Sequence, residues 1–194
     1  MSVVRHNRRN GLLTQAGYSL MEMMVVVGVM GVITGIAVVT VSTSRQGLKG
    51  DGAMRVVMAQ MTQARELAIT QRRNMRLTFT GTSSVQIVRE EVPGPTLTTL
   101  SSVPFEGGAQ FLLVAGVPDT PDAFGNATAV YFSGATEIKF GPDGTFVDQN
   151  GNQLNGSVFL SLANMKLSAR AVTIMGSTGR VRAYKWDGSS WKVV

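Results

Sequence analysis

The sequence predicts an α+β protein in which a long apolar helix precedes a turn-rich β domain. Three observations lead there. Leu20 to Val41 is apolar or small throughout except for Glu22. Ala53 to Gln71 places Val57, Met61, Ala64, Leu67 and Ala68 at helical spacings of three and four. From Met75 onward the apolar period falls to two, with turn dipeptides between short runs. The 194 residues suffice for one domain plus a membrane segment, and 22 glycines favour sheets and turns over a helical bundle.

At about 1.5 Å rise per residue, Leu20–Val41 makes roughly 33 Å of helix, enough to cross a hydrocarbon core. Arg5, Arg8 and Arg9 precede it and a Ser/Thr-rich stretch follows, which orients its N-terminus toward the cytoplasm and the rest outside. A cleaved signal peptide shares the basic and apolar regions. This apolar run is longer than such segments have, however, and no clear A-x-A site follows it. Glu22 is the anomaly: an ionisable residue inside a membrane helix is a functional hypothesis by default. The helix dipole favours a carboxylate in the first turn, and a glutamate snorkelling to the interface is the structural alternative.

Ser42 to Gly52 holds Gly47, Gly50 and Gly52 and predicts a weak or melted joint before helix resumes at Ala53. In that second piece Arg55, Arg65, Glu66 and Arg72 fall outside the apolar stripe, so the stripe is expected to pack on a sheet. The strands expected are Met75–Phe79, Val85–Val88, Phe111–Val114, Ala129–Phe132, Glu137–Phe140, Ser157–Leu162, Ala171–Met175, Val181–Lys185 and Ser190–Val193. Pro142-Asp143-Gly144, Asn150-Gly151, Asn155-Gly156 and Asp187-Gly188 separate the later ones. Val92–Asn126 holds five of the six prolines (Pro93, Pro95, Pro104, Pro118, Pro121) and reads as an extended excursion.

Catalysis finds little support, and no cofactor or metal is expected. The chain has no cysteine, and its only histidine, His6, lies in the basic leader. No P-loop occurs. Glu90 and Glu91 read as a solvated strand edge. Asp148-Gln149-Asn150-Gly151-Asn152 opens like a calcium loop, but Gln153 and Phe159 stand where an EF-hand needs glycine and glutamate, so a polar turn explains it.

Charge is segregated along the chain. Bases dominate from Arg45 to Arg89, acids from Glu90 to Asp148, and bases again from Lys166. Near the end Arg180, Arg182 and Lys185 lie among Tyr184, Trp186 and Trp191. On a strand, Arg180, Arg182 and Tyr184 share one face, opposite Val181, Ala183 and Lys185. Arginines beside aromatics suit phosphate contact and base stacking. The same pattern suits a polar outer strand face with Val181 and Ala183 inward.

Gly17-Tyr18-Ser19-Leu20-Met21-Glu22, between a short basic leader and a long apolar helix, resembles the processing site of type IV prepilins and pseudopilins. The resemblance implies that a prepilin peptidase cuts between Gly17 and Tyr18 and methylates the new amine of Tyr18. Glu22 would then pair with that amine on a neighbouring subunit. Tyr18 replaces the usual phenylalanine, Met21 and Met23 replace isoleucine and leucine, and Gly31 falls where many members carry a glycine. Val39 stands where many have proline, so no proline kink is expected there. Ala64-Arg65-Glu66-Leu67-Ala68-Ile69, Phe140-Gly141-Pro142-Asp143-Gly144 and Gly179-Arg180-Val181-Arg182 are similar to stretches of the GspH/FimT type of minor pseudopilins.

That resemblance implies a pilin-like fold with the N-terminal helix packed on an antiparallel sheet. It divides the chain into a leader (1–17), a transmembrane assembly helix (18–44), a second helical part (45–74) and an extracytoplasmic β domain (75–194). It further implies a filament subunit of a type II secretion pseudopilus or type IV pilus, not an enzyme. Such a subunit sits in the bacterial inner membrane with its β domain periplasmic. Its partners would be the peptidase, other pilin subunits and the membrane. Gly179–Arg182 also resembles a DNA-contacting motif of some minor pilins, which gives DNA uptake through Arg180 and Arg182 as the alternative.

Overall fold

The computed structural model describes residues 17–94, 96–163 and 165–194; the basic leader with Arg5, His6, Arg8 and Arg9 lies outside them. The chain divides into two units between Val41 and Ser42. Helix α1 is assigned continuously over Leu20–Gln71 and contributes to both. In the first unit, the apolar side chains of the window Leu20–Ala37 are exposed throughout.

Among the described residues, the second unit contains the remainder of α1 and eleven strands. β1 (Met75–Thr80), β2 (Ser84–Glu90), β3 (Leu97–Pro104), β6 (Ile138–Phe140) and β7 (Phe146–Asp148) form one antiparallel sheet in the order β3-β2-β1-β6-β7. β4 (Gln110–Phe111), β8 (Gly156–Ser161), β9 (Arg170–Met175), β10 (Arg180–Trp186) and β11 (Trp191–Val193) form the other, in the order β11-β10-β9-β8-β4, with β5 (Val130–Tyr131) also paired to β8. The expected single sheet is therefore two.

One face of α1 unites them. Ala53, Met54, Val57, Met61, Ala64 and Ala68 pack in one core with Leu77, Val85, Ile87 and Phe140 of the first sheet and Val158, Leu160, Val172, Ile174 and Ala183 of the second. Val57 and Met61 are fully buried, each worth about 1.5–3 kcal/mol relative to exposure. The predicted stripe is thus the packing face, with Ala53 and Met54 extending it and Leu67 at its margin.

Three expectations give way. No break separates the two helical pieces, because α1 passes through Gly47, Gly50 and Gly52 without interruption. Gly50 is a contact rather than a weakness: a Cβ there would run into the Ser168 carbonyl, so glycine permits the close approach of helix and β domain. The proline-rich excursion hides β3, an edge strand of Thr, Ser and Leu whose pattern lacks apolar alternation. β7 was also missed, and the expected runs at Phe111–Val114 and Ala129–Phe132 shrink to two-residue strands. Glu90 and Glu91, finally, are not simply a solvated edge. Glu90 accepts from Asn74 (2.9 Å), Arg76 (3.1 Å) and Lys139 (3.3 Å), and Glu91 from Arg89 at 2.7 Å. Burial raises the Glu90 pKa, but these hydrogen bonds and the Lys139 charge outweigh it and hold the carboxyl below its usual range.

Candidate functional site

The N-terminal segment places its functional residues in order along one helix end. Tyr18 is 79% exposed. Ser19 accepts the Met21 N–H on its hydroxyl at 3.3 Å and the Met23 N–H on its carbonyl at 3.1 Å, so it caps the first turn. Glu22 follows in that turn, exposed, where the unpaired amides favour a negative charge. Deeper in the apolar stretch, Thr34 returns its hydroxyl to the Met30 carbonyl at 2.7 Å, which satisfies that polar side chain. Gly28, Gly31 and Gly35 fall within about 60° of one another on an α-helix and meet open space on that side. Sequence reading singled out only Gly31; the spacing of Gly28 and Gly35 around it was the available signal.

Three motifs distant in sequence meet at Arg65 in the second unit. Its Nε donates to the Gly144 carbonyl at 3.2 Å. Gly179, at φ +61°, lies against that same carbonyl and the Arg65 side chain, with no room for a Cβ. Ala64–Ile69, Phe140–Gly144 and Gly179–Arg182 are therefore parts of one junction between helix and sheets. Their physical role is to fix the last turns of α1 on the β hairpins.

A second junction holds the helix near the start of that unit, and sequence reading missed it. Arg170 is 0% exposed. Its Nε donates to Asp51 at 2.5 Å, one terminal nitrogen donates to the Leu167 and Ala169 carbonyls at 2.9 and 2.8 Å, and the other to the Gly47 carbonyl at 3.0 Å. A guanidinium offers a planar fork that can serve several acceptors at once, which is why arginine suits this buried position. An arginine inside the apolar run Ala169–Val172 was the only hint.

Arg180, Arg182 and Lys185 do not form one patch. On β10, Arg180 and Arg182 share the face away from the helix, while Lys185 points to the helix side opposite Arg170 in register. Arg182 donates to Asp122 at 2.8 Å, and Thr173 donates to the other oxygen of that carboxylate at 2.6 Å. Burial pushes the Asp122 carboxyl up, but Thr173, Tyr184 and the Arg182 charge outweigh it and hold it below the usual range. Tyr184, expected on the open face, is buried with Phe159 and Ala171 beneath Leu113 and Trp191. The excursion before Asn126 covers this face, which no local pattern announces.

The Asp148 loop closes on itself: Asp148 accepts the amides of Asn150 and Asn152, both at 2.8 Å, as a polar turn does. Among the described residues no group of three or more His, Cys, Asp or Glu side chains is placed to hold a metal ion.

Residues 53–179 match the family model of the type II transport protein GspH. No curated protein matches the chain. Among solved structures, the chain is similar to the type IV minor pilin FimU of Pseudomonas aeruginosa, with 14% identity and a TM-score of 0.48 over 73% of this chain and 91% of that one.

Proposed function

We propose, from the premise that this chain belongs to the GspH family of type II transport proteins, that it is a minor pilin or pseudopilin. It is processed between Gly17 and Tyr18, methylated on the Tyr18 amine by prepilin peptidase, and built into a type II secretion or type IV pilus filament. One observation carries the reading. The apolar window Leu20–Ala37 is exposed throughout and has Glu22 in its first turn. A surface so apolar needs a bilayer or neighbouring helices to cover it.

Both environments have a use. In the bilayer the segment is a single-pass anchor of the inner membrane, with the β domain on the periplasmic side. In a filament the same residues pack against other subunits. Gly28, Gly31 and Gly35 then permit close helix approach. Glu22 pairs with the Tyr18 amine of a neighbour, a positive charge created by cleavage. The chain's work is mechanical and recognitional, not enzymatic.

Mass spectrometry of the mature protein tests the processing. The expected N-terminus is N-methyl-Tyr18; an intact leader, or a cut after Ser42, overturns the reading. DNA uptake through Arg180, Arg182 and Lys185 has less support, because Asp122 engages Arg182 and Lys185 faces the other way. In a gel shift of the full chain in detergent, Arg180→Ala/Arg182→Ala is expected to leave DNA retention unchanged. Loss of a wild-type shift in that variant would restore the DNA reading.

A further inference from the structure

At the start of the second unit, two leucines stand out of the surface among bases. Leu48 on α1 is 68% exposed, and Leu167, in the short 3-10 turn Lys166–Ser168, is 50% exposed. Both line one depression of about 500 Å³ together with Gly47, Asp51, Lys185 and Asp187. Leu48 also borders a second depression of about 400 Å³, walled by Lys49, Val56, Val103 and Gly107. Leu48 is therefore a crest between two hollows rather than an isolated surface leucine.

The charge around this crest is positive. Arg45 and Lys49 lie one helical turn apart on α1, and with Lys185 they are exposed, as is Lys166, whose ammonium lies toward Gly116. None of the ion pairs among the described residues uses these four. The nearby acids are largely engaged. Asp51 is held by Arg170. Asp187 accepts from Ser189 and Ser190 in its own turn and pairs with Lys192 at 3.7 Å. Glu106, beside Lys49, is exposed, as is Asp187. Apolar side chains ringed by Lys and Arg are the chemistry of a surface that lies on anionic headgroups.

Chain length brings the two together. Arg45 follows Ala37, the last residue of the apolar window, by eight residues. Covalent geometry limits that separation to about 28 Å even when fully extended. A tether this short gives a high effective concentration, so a weak patch suffices.

We propose that the patch of Leu48, Leu167, Arg45, Lys49 and Lys185 docks on anionic phospholipid headgroups of the membrane that holds the helix. The docking holds the β domain against the bilayer before the subunit enters a filament. It rests on the membrane-anchored reading above.

The absence of cysteine makes the test direct. Leu167→Cys in the full chain supplies one thiol for a fluorophore. The labelled protein is reconstituted into vesicles of phosphatidylcholine alone or mixed with phosphatidylglycerol, each carrying a shallow spin-labelled quencher lipid. Co-flotation reads the anchor, and quenching reads contact of the patch. The expected result is co-flotation with both vesicles and quenching roughly threefold stronger on the anionic ones, a difference lost at high salt. Adding Arg45→Gln, Lys49→Gln and Lys185→Gln should preserve flotation and reduce quenching to the phosphatidylcholine level. Equal quenching on both vesicles, or quenching indifferent to the three substitutions, overturns the proposal while leaving the anchor intact. Failure to float with either vesicle overturns the anchor reading itself.

Discussion

Arg170→Ala is expected to lower the melting temperature of the second unit by roughly 10 °C. Truncating one partner of a buried ion pair costs about 3–5 kcal/mol, and about 2–4 °C is lost per kcal/mol at this chain length. The loss is large because the side chain serves four acceptors. Asp51 and the carbonyls of Gly47, Leu167 and Ala169 all lose the guanidinium together, and of these Ala169 still accepts the Trp186 N–H at 3.1 Å. Two of them belong to the helix, so the substitution also releases α1 from β9. Thermal unfolding of the detergent-solubilised full chain, followed by near-ultraviolet circular dichroism, measures the effect. Asp51→Ala should destabilise less, since the buried guanidinium keeps its three carbonyls. A melting temperature unchanged by Arg170→Ala would remove the junction from any account of stability.

Glu22→Ala is expected to leave cleavage and membrane insertion intact and to abolish incorporation into filaments. On the proposed reading the peptidase cuts at Gly17–Tyr18, outside the apolar window, and removing a carboxylate makes insertion more favourable rather than less. Between subunits, by contrast, the proposed pairing means that the substitution strands the methylated amine of a neighbour in apolar surroundings. Leaving one charge of a desolvated pair without its partner costs about 3–5 kcal/mol, a weakening of roughly a hundredfold to several thousandfold for each contact. Quantifying the subunit in sheared filament and membrane fractions reads this directly. Filaments carrying the variant at wild-type levels would refute the pairing. Glu22→Gln separates charge from shape, and is expected to fail nearly as completely, because an amide cannot neutralise the amine.

Much of this chain was legible without coordinates, and the reasons are local. The Leu20–Val41 run, the stripe from Val57 to Ala68 and the period-two segments each carry their own signal, because solvent or its absence selects every residue in them. Turn residues such as Asp143-Gly144 did the same for the connections. β3 escaped because an exposed edge needs no apolar alternation, and Leu97–Pro104 therefore looks like a linker. The supposed joint at Gly47–Gly52 was misread for a related reason. Helix propensity counts glycine as a loss, whereas the packed protein uses Gly50 to bring Ser168 and Arg170 against the helix.

Contiguous residues alone specify that an apolar helix with an acid at its start precedes a β domain. Helical length, charge asymmetry and hydrophobic period are properties of contiguous residues. Which charges are committed follows from the packed fold instead. Arg170 and Arg182 look alike in sequence, yet one is sealed against Asp51 and the other pairs with Asp122 under a loop some sixty residues upstream. Ion pairs form where the fold brings donors to acceptors, and that distance is not written in sequence spacing.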